Sequence, residues 1–282
     1  MVLYQTDDGI SFPTQMSAAP LKHGKIVDAA RGLRIVGVDC AVKPENTGVA
    51  AAVLRGSRVE VTEVSRFRSP DDRAAQIQRL LKGWNRVLIA MDAPLGWPVE
   101  LGRTLRDHRA GKPLRVDPDQ LFRRETDRLV HRDVGKRPLD VGADRIARTA
   151  HAALKLLGEV GDLLGQEILL AWQPGFKGSV AVIEVYPAAT LKAHGIEPRR
   201  YRETNKAARQ RAAAARHGLV ERLRRELILR VDTTVLVESP DALDAIICIL
   251  AAADFLRGHC IAPEDEHRAK AEGWIWVRRP EP

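Results

Sequence analysis

Apolar residues along the chain fall into short runs with strand character and longer runs with helix spacing. The runs Arg34-Ile-Val-Gly-Val-Asp39 and Arg86-Val-Leu-Ile-Ala-Met-Asp92 are brief and almost purely apolar, the pattern of strands covered on both faces. Gly48 to Leu54 predicts a further strand. After the turn at Arg55-Gly56-Ser57, Arg58 to Arg66 alternates as a half-exposed strand would. Ser179 to Tyr186 predicts a fifth, stopped by Pro187.

Helix signals lie between and after these runs. Ser69-Pro-Asp-Asp combines a capping serine, a first-turn proline and acids that suit the helix dipole, and predicts a helix to about Trp84. Residues 99–165 read as helices with loops at 111–118 and 135–138. Asn205 to Arg230 predicts one long basic helix. Ser239-Pro-Asp241 starts an apolar helix to about Leu256, and Gly273 to Val277 is a last ordered piece. Residues 1–30 show no period and contain Pro13, Pro20, Gly9 and Gly24, so an irregular N-terminal extension is expected before a domain at 31–282 with a helical insertion at about 99–175. This order is that of an α/β fold. A right-handed crossover would make the first and fourth strands parallel neighbours.

Composition narrows the classes. With 45% hydrophobic and 29% charged residues in 282, a disordered chain is excluded. No apolar stretch approaches the ~18 residues of a membrane span. Cys40, Cys248 and Cys260 form no CxxC pair, and no HExxH or zinc-spaced Cys/His cluster occurs, which argues against a disulfide scaffold or a structural zinc. That cysteine usage predicts a reducing, cytoplasmic setting, and the N-terminal residues lack the basic-then-apolar pattern of a secretion signal, so none is expected.

The net charge of +8 is unevenly spread. Residues 199–225 hold ten Lys/Arg against Glu203 and Glu221, and residues 101–150 hold thirteen against eight acids. Two basic segments on a slightly acidic body suit contact with nucleic-acid phosphates, and equally a solvated helix face. Lys206 and Arg209, at the head of the second segment, are candidate substrate contacts.

The candidate chemistry is acidic. Two apolar strands end in Asp39 and Asp92, which would share the carboxyl edge of the sheet if the strands are parallel neighbours. Glu184 lies within the fifth strand. Asp241 and Asp244, spaced i, i+3, share one helix face. Each acid has a structural alternative: a turn cap at Asp39 or Asp92, a dipole contact at Asp241, a buried arginine partner at Glu184. Converging carboxylates repel and raise each other's pKa, and a divalent cation, Mg²⁺ or Mn²⁺, relieves that cost through oxygen ligands. Two such ions could orient a water and stabilise the leaving oxygen of a phosphodiester. GxxxxGK[ST], GxSxG and GxGxxG are absent, and Cys40 beside Asp39 is a poor thiolate.

The sequence resembles domain-of-unknown-function family 429, whose members are described as predicted nucleases with an RNase H-like fold. The resemblance rests on Gly37-Val-Asp39, Met91-Asp-Ala-Pro-Leu-Gly96, Arg124-Glu-Thr-Asp127-Arg128, Glu184-Val-Tyr-Pro187, Asp241-Ala-Leu-Asp244-Ala245 and Glu272-Gly-Trp-Ile275. It implies a mixed five-stranded sheet in the order 3-2-1-4-5 with the second strand antiparallel. It also implies a metal-dependent nuclease site with Asp39, Asp92, Asp241 and Asp244 as metal ligands and Glu184 as a further catalytic acid. The Asp-x-x-Asp at Asp241 and Asp244 is similar to that of Holliday-junction resolvases. Arg124 and Arg128, i and i+4, become candidate contacts to the scissile phosphate, with Asp127 holding one in place; an intrahelical ion pair is the alternative. Two other functions remain open: a nucleic-acid-binding module without catalysis, and an enzyme transferring or hydrolysing the phosphate of a small metabolite.

Overall fold

The computed structural model describes residues 32–280 apart from 68, 70–72, 143, 204 and 205. The expected extension at 1–30 and the helix start at 70–72 lie outside the described residues. The chain forms β1 (Leu33–Asp39), β2 (Gly48–Arg55), β3 (Arg58–Arg66), α1 (Arg73–Leu81) and β4 (Val87–Asp92). A helical stretch follows: α2 (Val99–Leu105), α3 (Pro118–Phe122), α4 (Glu125–Leu129), a π turn over Val130–Val134 and α5 (Asp144–Leu164). Then come β5 (Leu169–Leu170), β6 (Val180–Glu184), α6 (Pro187–Ala193), α7 (Arg209–Leu223), β7 (Ile228–Leu229), α8 (Thr234–Glu238), α9 (Pro240–Leu256) and α10 (Glu266–Glu272).

The architecture is α/β, with one sheet in the order β5-β6-β4-β1-β2-β3-β7. β1 is parallel to β4, β4 to β6, β6 to β5 and β3 to β7, whereas β2 is antiparallel to both of its neighbours. The expected count of five strands is corrected to seven. Two strands of two residues each, β5 and β7, cover edges that would otherwise expose unpaired backbone groups. The expected long helix from Asn205 to Arg230 is also shorter. It is a 3₁₀ turn at Lys206–Ala208 and then α7, and the chain beyond turns to pair Ile228 and Leu229 with Glu60 and Val61 on β3. α10 precedes the expected closing piece, which joins the sheet only through a bridge from Ile275 to Glu184.

Helices cover both sheet faces. Side chains alternate along each strand, so Ile35, Leu88 and Ala90 enter the core under α9, while Val36, Val38, Ile89 and Met91 enter the core under α1 and α5. α9 is buried all round, from Ala242 to Phe255. It lies so close to the sheet that no side chain fits between at two places. A Cβ at Gly37 would stand 2.1 Å from the Ala245 carbonyl oxygen, and one at Gly48 2.0 Å from that of Asp241. This contact sets the start of α9 over the carboxyl end of β1. Among the described residues no helix is long and apolar enough to cross a membrane.

Candidate active site

Strand register and alternation build the first half of the site. Asp39 and Asp92 are direct partners in the β1–β4 ladder and end both strands. Asp39 shares the face of Ile35 and Gly37, and Asp92 that of Leu88 and Ala90, so both carboxylates turn towards α9. The second half comes from α9. The Ser239 hydroxyl caps the helix, accepting from Ala242 N at 3.2 Å, and this fixes Asp241 in the first turn and Asp244 at the start of the second. Asp244 is completely buried. The four aspartates thus come from two strands and one helix and meet at the sheet's carboxyl edge.

One cation stands among them. Arg202 pairs with Asp244 through Nη1, and its Nη2 lies 3.5 Å from Asp39 and 3.6 Å from Asp241. Tyr201 donates its hydroxyl to Asp244 Oδ1 at 2.8 Å, and Arg66 lies 3.7 Å from Asp241. Two guanidiniums, Arg202 and the half-exposed Arg66, stand against four acids. Asp39 is held well above the usual carboxylate range by burial and by Asp244 and Asp92, against Arg202. Burial, with Asp244, raises Asp92 to about 8, and burial raises Asp244 to about 6 despite Arg202 and Tyr201. Asp241 is raised by burial as well.

The donor set is all oxygen, which suits Mg²⁺ or Mn²⁺ and no soft metal. As the side chains stand, no three His, Cys, Asp or Glu among the described residues are placed to hold one metal ion together. Arg202 takes the position of counter-charge instead. Its side chain is 49% exposed, so part of it faces solvent while its guanidinium holds the carboxylates. Beside Asp92 and Arg202 opens a cleft of about 390 Å³, lined also by Lys136, Tyr186, Arg200 and Tyr201.

Glu184 and Arg124 belong to a different arrangement. Glu184 is the neighbour of Met91 in the β4–β6 ladder, and alternation turns it away from α9. There it meets Arg124, whose five N–H groups are all taken. Nε and one Nη2 proton go to Asp127 (3.1 and 2.9 Å), the other Nη2 proton and one on Nη1 to Glu184 (2.7 and 2.8 Å), and the last to the Glu272 carbonyl (3.3 Å). Glu184 also accepts from Leu95 N at 2.9 Å, and Asp127 from Arg124 N at 2.9 Å. Arg124, Asp127 and Glu184 are each at most 2% exposed. The expected phosphate contact at Arg124 is therefore corrected, because no donor is left for a ligand. This triad clamps the 124–127 segment to β6 and to the end of α10.

Arg128 donates to the main-chain carbonyls of Arg123 and Asp119 at 2.8 and 3.2 Å. Arg209 is exposed at the start of α7; the side chain of Lys206 lies outside the described residues. Arg216 is buried and holds the carbonyls of Tyr201 and Val237, so it supports the Tyr201–Arg202 segment from behind. Burial pushes the Cys40 thiol up to about 12, which makes it a poor nucleophile. Sequence reasoning did not single out Arg202, Tyr201 or Tyr186. The signal for the first two was present but concealed, since they open the basic segment at 199–225.

Fold and site define an α/β protein with an acidic centre at the carboxyl edge of its sheet. The family model described as protein of unknown function (DUF429) matches residues 37–268, and the chain belongs to that family. The match includes all four clustered aspartates and the Arg124 triad. Among curated proteins none matches.

Arg124→Met tests the clamp. It leaves Glu184 and Asp127 buried without a counter-charge, and breaking a buried pair in this way costs about 3–5 kcal/mol. Urea unfolding should show a loss of that size; a loss below about 1 kcal/mol contradicts the clamp. Asp92 carries a pH prediction. Its folded pKa is raised above the unfolded value near 3.9. Its stabilising contribution is complete below about pH 4 and is lost as pH rises towards about 8, by up to ~1.4 kcal/mol per pH unit. In EDTA the wild type should lose stability relative to Asp92→Asn across that window. Parallel profiles contradict the assignment.

Proposed function

We propose that this protein is a hydrolase that cuts phosphodiester bonds of nucleic acid with Mg²⁺ or Mn²⁺ held by Asp39, Asp92, Asp241 and Asp244, on an RNase H-like sheet. The observation that carries this reading is the convergence of four aspartates at one sheet edge with too little positive charge to match them. Stability alone gives no reason for that excess, since an amide of the same shape avoids the repulsion. A bound cation supplies an activated water and stabilises the leaving oxygen.

The chain's own groups do the rest. Asp39 and Asp92 sit on rigid neighbouring strands and set the spacing of the site. Tyr201 fixes the orientation of Asp244. Arg202 neutralises the carboxylates in the cation-free protein; turned outward, it stays at the cleft and meets a substrate phosphate with its planar fork. Lys136 and Arg200 add positive charge along the same cleft. Glu184 acts by holding Arg124. The three free cysteines fit a reducing compartment such as the cytoplasm.

A second reading rests on the cleft's size. About 390 Å³ is within the range of small-molecule sites, which suits the phosphate of a small metabolite. Incubation with single-stranded, duplex, hybrid and branched nucleic acid, and with phosphorylated metabolites, separates the two. The expected outcome is cleavage of a nucleic acid in Mn²⁺ or Mg²⁺, none in EDTA, and a drop of more than about 100-fold for Asp39→Asn, which exceeds the effect of losing an outer partner. Turnover of a metabolite alone favours the second reading. Salt-dependent binding of nucleic acid with no turnover of either substrate leaves a binding module.

Arg202→Gln gives an independent readout. In EDTA it should lower the melting temperature, because the acids lose their counter-charge. Mn²⁺ should then bind more tightly than to wild type, and at a 100-fold excess over the variant's Kd it should stabilise the variant by about 2.7 kcal/mol in total, with a smaller gain for wild type at the same Mn²⁺ concentration. Equal Mn²⁺ affinity in both proteins contradicts the competition between guanidinium and cation.

A further inference from the structure

A second concentration of positive charge lies at the other end of the sheet. β3 begins at Arg58 and ends at Arg66, the residue that reaches Asp241. α9 runs from Asp241 to Leu256 and is followed by Arg257, whose Nη2 donates to the Ser57 carbonyl at 2.9 Å. Arg58 and Arg257 are therefore separated from the carboxylates by the length of α9, about 25 Å for 17 residues. Between them is a cleft of about 420 Å³ that also takes in Arg224, Arg225, Arg278 and His259. Five arginines and a histidine face a single acid of the lining, Glu226.

The charges in this cleft are incompletely used. Arg224 has Glu221 at 3.2 Å, and Arg278 has the buried Asp254 at 3.5 Å. Arg257 is tied to one carbonyl. Arg58 and Arg225 are exposed and have no ion-pair partner among the described residues. Like charges gathered in this way repel one another, and an anion in the cleft relieves the repulsion. All the permanent cations are arginines. Their planar forks suit the paired oxygens of a phosphodiester, and a row of them suits a chain of phosphates.

We propose that this cleft is a second phosphate-binding site, which holds the backbone of a nucleic-acid strand away from the acidic centre. α7 leads from one place to the other. Its N-terminal end follows the Tyr201–Arg202 segment, and its C-terminal end delivers Arg224 and Arg225 to the cleft. Arg211 and Arg222 are exposed on it three turns apart, and so on one face. The partner class rests on the nucleic-acid reading given above; the site itself requires no catalysis.

The test is the affinity of a labelled oligonucleotide in EDTA at a series of salt concentrations. Wild type is compared with the double variant Arg58→Gln/Arg225→Gln, with unchanged melting temperatures as the check on folding. The expected result is weaker binding and a shallower slope of log K against log salt, by about 0.7 for each lost contact to a single strand. Tripolyphosphate should displace the strand from the wild type, and polyglutamate at equal charge should do so poorly. An unchanged slope overturns the proposal. So does a variant that loses tripolyphosphate binding alone, which makes the cleft a site for a small polyphosphate, and so does equal competition by polyglutamate, which makes it a docking site for an acidic protein. Absence of cleavage by the wild type counts against the nuclease reading and leaves this measurement intact.

Discussion

The close seating of α9 on the sheet is the constraint from which the rest of the structure follows. With carbonyl oxygens of the helix pressed onto Gly37 and Gly48, the helix start is fixed over the carboxyl ends of β1 and β4. Asp241 and Asp244 are thereby brought to Asp39 and Asp92, which strand register has already made neighbours. A helix held farther out by a β-carbon would leave Asp244 solvated and Asp39 apart. The same seating buries α9 on every side, so its apolar residues anchor an acidic end that is itself electrostatically unfavourable.

Two arginines show how differently one side chain answers buried acid. Arg124 gives each of its donors to a fixed acceptor and is almost inaccessible, so the triad with Asp127 and Glu184 is complete and leaves nothing for a ligand. Arg202 faces three carboxylates, two of them at 3.5 and 3.6 Å, and keeps half of its side chain in solvent. The first arrangement stiffens the fold. The second leaves unmet charge at the mouth of a cleft, beside a guanidinium that is half in solvent. Chemistry is expected where the accounting of charge stays open.

Much of this was legible in the sequence. Asp39 and Asp92 could be placed because each ends an apolar run, and a run of that kind fixes both the strand and the edge at which it stops. Ser239 and the i, i+3 pair behind it placed Asp241 and Asp244. Glu184 was harder, because its facing depends on the β4–β6 register, which no local pattern shows. Arg124 was ambiguous for the same reason: the partner that completes it is 60 residues away in the chain. Arg202 was concealed by its neighbours, since one functional cation inside a basic run has the composition of a solvated face. The two-residue edge strands were out of reach, for they follow from the need to cover a sheet edge and not from any property of Leu169–Leu170 or Ile228–Leu229.

The helix dipole accounts for part of the charge along α9 and fails for the rest, and the difference is informative. Asp241 in the first turn and Arg257 beyond the last complement the dipole as any helix would arrange them. Asp244 lies further in and is wholly buried, and its tyrosine and arginine partners leave its pKa raised to about 6. An asparagine there would keep the bond to the Tyr201 hydroxyl without the charge. A buried carboxylate whose neighbours are also acids is a departure from local consistency, and such departures gather at functional sites. Asp39 and Asp92 depart in the same direction at the same place. Three independent elements carry this cost at one point, and that coincidence is what the proposed cation would account for.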